Sequence, residues 1–259
     1  MTLLDANTAR AIKELIDQQD ETPEERYYLE EYFKKRPAAN SVAIIDPDAN
    51  DATALAAFVV ANKDFELQGT SADDAKVTFD ATNAALLLTC DGASADQMII
   101  TPHLDTNQTA WAGIKWGTEN QVEWECSIKT GASLATCMIW AGLKLTSTGT
   151  IATDDDQVFF RYNTTDDTTA YWRVISSIDD TDTATTTPVA ITVNTIYNLK
   201  IKIDYARIAR FYINDVLVYT TTALTNDINL IPYVAIQALD TTASTLLLHY
   251  MKISRVLYE

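Results

Sequence analysis

The chain has 259 residues, 47% of them hydrophobic, and a formal net charge of −17. That length and apolar share can fill a sizeable core, while the charge works against direct nucleic-acid binding, whose affinity comes largely from lysine and arginine on phosphates. No stretch reaches the ~18 uninterrupted apolar residues of a membrane helix, and residues 1–10 lack the basic-then-apolar order of a signal peptide. The sequence therefore predicts assembly in a cytoplasm, with neither membrane nor nucleic acid as a partner.

In chain order, the first segment (1–36) predicts two short helices. Thr22-Pro23-Glu24-Glu25 offers an N-cap threonine, a proline at the first helical position and a glutamate at the third. The helix so opened runs to about Arg36, with Tyr28, Leu29, Tyr32 and Phe33 on one stripe, and an earlier helix shares Ile12, Leu15 and Ile16. Helices this short need something to dock on. The segment is thus either packed on its own chain or a docking arm with Leu15, Ile16, Tyr28, Tyr32 and Phe33 as its contact residues.

Residues 37–106 form a more acidic segment, carrying −9 of the net charge. Apolar runs at 41–45, 55–60, 84–89 and 98–101 alternate with Asp/Asn/Ala/Ser stretches, which predicts short strands and acidic loops leading into the next unit. From 107 to 259 a period of two takes over. Val122, Trp124, Cys126 and Ile128 alternate with Gln121, Glu123, Glu125 and Ser127, and Leu199, Ile201 and Ile203 alternate with Lys200, Lys202 and Asp204. Further strands are expected at 136–145, 157–162, 170–176, 189–193, 207–213, 216–221, 231–239 and 245–258, with Asn214-Asp215 as a two-residue turn. About ten strands with no intervening helical pattern predict a mainly β protein, an antiparallel jelly-roll sandwich preceded by a helical hairpin.

The chemical inventory is thin. Seven glycines include no GxGxxG or GxxxxGK[ST] run, and the two histidines, His103 and His249, form no HExxH pair. Cys90, Cys126 and Cys137 lack CxxC spacing and read as buried thiols. Asp154-Asp155-Asp156, Asp166-Asp167 and Asp179 to Asp182 could offer oxygen ligands to a structural Ca²⁺, but none forms an EF-hand loop, and no cofactor is expected. Glu123 and Glu125 project from one strand face, a geometry open to glycosidic acid–base chemistry. The E-x-D-x-x-E run of sandwich glycosidases is broken by Ile128, so a solvated strand face is the expectation, with no catalytic residue assigned. Trp111, Trp116, Tyr162, Tyr171, Trp172 and Tyr212 either stack sugars or fill the sandwich, and Arg161, Arg173 and Arg210 could form an outward row.

The stretches 199–204, 209–214 and 250–255 resemble the end of a concanavalin-A-like lectin/glucanase sandwich. Residues 116–122 and 155–162 resemble structural proteins of tailed phages, with Asp215 and His249 departing from that pattern. The resemblance implies a non-enzymatic virion protein. The expected role is capsid decoration or cement on the head surface, as a homotrimer on the major capsid protein; the alternative is a tail-fibre or spike adhesin that binds host glycans.

Overall fold

The computed structural model describes residues 26–33, 42–45, 65–72, 74–90, 92–101, 115–165 and 170–257. The strands are β1 (Arg26–Tyr32), β2 (Val42–Ile45), β3 (Phe65–Gln68), β4 (Val77–Asp80), β5 (Ala85–Cys90), β6 (Gln97–Thr101), β7 (Trp116–Gly117), β8 (Glu123–Thr130) and β9 (Cys137–Lys144). They continue with β10 (Gln157–Asn163), β11 (Tyr171–Ile178), β12 (Thr181–Ala190), β13 (Ile196–Ile203), β14 (Ile208–Ile213), β15 (Val216–Ala223), β16 (Asn229–Ala238) and β17 (Ser244–Val256). Among the described residues, short 3₁₀ turns are the only helical elements.

Two sheets result. Sheet A has the order β15-β14-β13-β8-β17-β5-β4, and sheet B the order β12-β11-β10-β9-β16-β6-β3-β2. Among the described residues, all pairings are antiparallel except β2 with β3. β17 organises sheet A: β8 lies along one side, while β5 takes residues 244–248 and β1 residues 250–256 on the other. The inward rows, among them Trp124, Cys126 and Ile128 of β8, Leu199, Ile201 and Ile203 of β13, and Phe160 and Val158 of β10, meet in one continuous core. This is a jelly-roll-like sandwich of two antiparallel sheets.

The expected helix over 22–36 is corrected, because Arg26–Tyr32 is strand β1, paired residue for residue with β17. Its tyrosine-rich sequence fits period two as well as 3.6: Tyr27 and Leu29 lean on the core while Tyr28, Glu30 and Tyr32 face out. A capping box contributes only about 1 kcal/mol, and seven residues of ladder with aromatic side chains that suit strands outweigh it. The earlier helix, with Leu15 and Ile16, and the run at 55–60 lie outside the described residues. β12, expected to begin near Val189, begins at Thr181 and includes Pro188, which its place at the sheet edge tolerates.

Two acidic spots act as hairpin turns. Asn214-Asp215 has φ of 51° and 63°, and Asp179-Asp180 has 50° and 60°; two successive positive φ values make the tight turn that matches strand twist. Sheet B is apolar on both faces at its centre. Trp140, Phe159, Ile175, Tyr233 and Ala235 form a second cluster on its outer side, with Ile151 from the β9–β10 loop packed over it. Gly142 sits where a Cβ would meet Phe159 Cα at 2.5 Å, at a φ of 152°, so close strand approach requires glycine there.

Candidate functional site

The outer face of sheet A carries the polar side chains that the alternation leaves outside, and strand register sorts them into rows. One row reads Tyr212, Lys200, Glu125, Lys252, Glu30 across β14, β13, β8, β17 and β1, and the next reads Arg210, Lys202, Glu123, Ser254, Tyr28. Cations and carboxylates alternate across the first row, which is the favourable cross-strand arrangement. The side chains border a groove of 310 Å³ lined by Tyr28, Glu30, Glu123, Glu125, Lys200 and Lys252 among others. A second hollow of 170 Å³ shares Glu123 and Lys202 and extends the groove to Asp204, Arg210 and Tyr212.

Glu125 is the hub. Lys200 Nζ lies 3.3 Å and Lys252 Nζ 3.2 Å from its Oε2, and the Tyr250 hydroxyl donates to its Oε1. Burial alone would push the Glu125 carboxyl up, but the bonds from Tyr250 and Lys252 and the two lysine charges together hold it below its ordinary 4.5. Tyr250 is the converse: burial, then the bond to Glu125 and its charge, raise the phenol well above 10.0, so it stays a donor. Lys200 is raised despite burial, since Asp215, at 2.7 Å, and Glu125 favour its charge.

Glu123 is more open. Lys202 lies 3.1 Å from it and Arg26 3.9 Å, and Arg26 is itself tied to Ser254 Oγ and the Gln121 carbonyl. Tyr28 and Tyr32 stand 65% and 50% exposed at the β1 side, and the Tyr32 ring lies 5.6 Å from that of Tyr250. Arg210 is fixed to Asp204 at 2.7 Å.

The expected docking residues do not stay together. Tyr28 and Tyr32 face solvent beside the groove, whereas Phe33 is fully buried in the core, its ring filling the sandwich. Glu123 and Glu125 do share a face, and Ile128, at the place of the third acid, is buried in the core. Of the aromatics, Trp116, Tyr162 and Trp172 are core residues, Tyr171 is 40% exposed, and Tyr212 lines the hollow; Trp111 lies outside the described residues. The arginine row is corrected: Arg161 and Arg173 are on sheet B and Arg210 on sheet A. His103 lies outside the described residues, and His249 sits at the irregularity of β17, its imidazole held below 6.5 by burial and the Lys129 charge. Among the described residues, no cluster of three His, Cys, Asp or Glu could hold a metal. Sequence reasoning missed Lys252 and Tyr250 as partners of Glu125, because they come from a strand paired with β8 only in the fold.

No protein-family model and no curated protein matches the sequence. Solved structures do. An apo Crh5 transglycosylase is similar at a TM-score of 0.56 and 14% identity over 88% of this chain and 84% of that one. A protein of unknown function from Shewanella oneidensis MR-1 is similar at 0.53 and 10% identity, over 99% and 96%. The alginate lyase A1-II′ of polysaccharide lyase family 7 is similar at 0.48 and 15%, over 71% and 84%. The fold is a concanavalin-A-like β-sandwich. At these identities the likeness shows the fold alone.

The expected function needs correcting. The non-enzymatic virion reading, cement protein or adhesin, rested on a phage-like sandwich, a separate helical segment and a missing catalytic set; part of that segment is strand β1, and a sandwich similar to this one at a TM-score of 0.56 is a transglycosylase. The expectation that the chain is no enzyme falls with it. The missing E-x-D-x-x-E run does not empty the face of chemistry, because cross-strand residues supply partners that a linear motif cannot record.

Proposed function

We propose that this chain is a carbohydrate-active enzyme that binds a polysaccharide along the outer face of sheet A and acts on its glycosidic bonds. The observation that carries the reading is Glu125: a partly buried carboxylate held ionised by Lys200, Lys252 and Tyr250 at the floor of the groove. An ionised carboxylate so placed can stabilise the positive charge that develops at an anomeric carbon, or attack it. Glu123, two residues along the same strand and about 6.6 Å away by strand rise, borders the same groove as an ionised carboxylate paired with Lys202, placed to accept hydrogen bonds from sugar hydroxyls. Tyr28 and Tyr32 offer exposed ring faces for stacking pyranose rings. The transglycosylase fold neighbour supports the class of chemistry.

The test is a panel of neutral and acidic polysaccharides, scored for new reducing ends and for the ultraviolet absorbance of unsaturated products. Turnover of at least one glycan is expected. A folded protein that turns over nothing across the panel would overturn the reading.

A further inference from the structure

On the opposite face of the sandwich, three side chains meet in a place the groove does not use. Lys144 closes β9 and Gln157 opens β10. The register pairs Leu143 with Val158, which sets Lys144 directly across from Gln157. Both are fully buried. Lys144 Nζ donates to Gln157 Oε1 and lies 2.8 Å from Asp154 Oδ2, with side-chain exposures of 0% and 1% for that ion pair. The Phe159 ring centroid is 4.4 Å from Nζ. Gln157 Nε2 donates to Ser177 Oγ at 2.6 Å, which fixes the carboxamide with its oxygen toward the lysine.

We propose that Lys144 and Gln157 are joined by an amide bond between Nζ and Cδ, formed within the folded chain with loss of ammonia and with Asp154 as the proton carrier. An ion pair taken fully out of water is costly to keep, and one proton moved from Nζ to Asp154 discharges both partners. Burial pulls the lysine below its ordinary 10.5, against the opposing pull of Asp154. Asp154 Oδ1, buried without a hydrogen-bond partner, has room for that proton. The freed amine lone pair attacks Cδ, giving a tetrahedral centre. Asp154 hands its proton to Nε2 and takes one from the attacking nitrogen, and the C–Nε2 bond breaks as the carbonyl re-forms. Ammonia leaves, carrying away as ammonium the proton that Lys144 first held. No oxidant or outside reactant is needed, and the fixed geometry supplies the proximity that makes an unreactive amide attackable. The bond would close residues 145–156 into a covalent loop over the second cluster.

Intact mass and peptide mapping of the denatured wild-type chain decide the matter. Trypsin should fail to cut after Lys144 and leave a peptide of residues 130–161 lighter by one ammonia. A protease that cuts before aspartate within 145–156 should leave two pieces still joined. Asp154→Asn and Lys144→Met should restore the full sequence mass. Cleavage after Lys144 at the unaltered mass would overturn the proposal, and so would a deficit of one water, which would place the link on Asp154. The wild-type result stands whether or not either variant folds.

Discussion

The Tyr250 hydroxyl donates to the Glu125 carboxylate across the β17–β8 pairing, from 125 residues away in sequence. That bond ties the last long strand to the strand at the centre of the groove. It also gives Glu125 a neutral donor beside its two lysines, so the carboxylate is oriented as well as ionised.

Replacing Glu125 by Gln leaves Lys200 and Lys252 facing a neutral group in a partly buried setting. The expected loss of stability is about 1–3 kcal/mol, between the values for exposed and buried pairs. Urea denaturation of the variant measures it. A midpoint equal to that of the wild type would mean the pairs contribute nothing.

Acid should unfold the protein through its depressed carboxylates. Glu125 lies below its ordinary 4.5, and Asp204, tied to backbone amides and Arg210, lies below 3.8. A carboxylate with a folded pKa below its unfolded one contributes stability that is present above the unfolded value and lost as pH falls through the folded value. Urea midpoints should therefore fall steeply below about pH 4.5, after a shallower decline that begins near 6.5, where the unfolded chain can protonate His249 and the folded one resists it. Lys252→Met removes one of the donors that lower Glu125 and should shrink the stability lost on that limb; an identical limb would show that Lys252 does not set it.

The three thiols should be silent in the folded state. Burial pushes Cys90 and Cys137 up to about 12 and Cys126 well above 9.0, so the reactive thiolate is scarce at pH 8. Thiol-exchange reagent should label none of them natively and all three in denaturant. Fast native labelling of any one would contradict the packing around it.

Gly142→Ala forces a Cβ against the Phe159 backbone at a positive φ. A destabilisation of about 2–4 kcal/mol is expected, with no rigid-body escape because both neighbouring strands are fixed in the sheet. Thermal melting reads it directly.

The sandwich was legible because strands such as β8 and β13 are dry on one side and wet on the other, and the 214–215 turn was marked by residues that tolerate positive φ. That Glu123 and Glu125 share a face followed from the same period. Their partners did not follow: a register links residues far apart in sequence, so Lys200, Lys252 and Tyr250 could be assigned to strands but not placed beside Glu125. The Arg26–Tyr32 segment misled because a short aromatic run fits two periods at once, and the choice between them lay with β17. Thr181–Ala190 was obscured by its threonines and aspartate, which suit a half-wet edge strand as well as a loop.

The measurement closest to the central claim is the rate of the Glu125→Gln variant relative to wild type on a glycan that the wild type turns over, with folding checked by melting. A fall of about 10²-fold or more is expected, with the fold intact. A rate within twofold of wild type would place the chemistry elsewhere on the molecule.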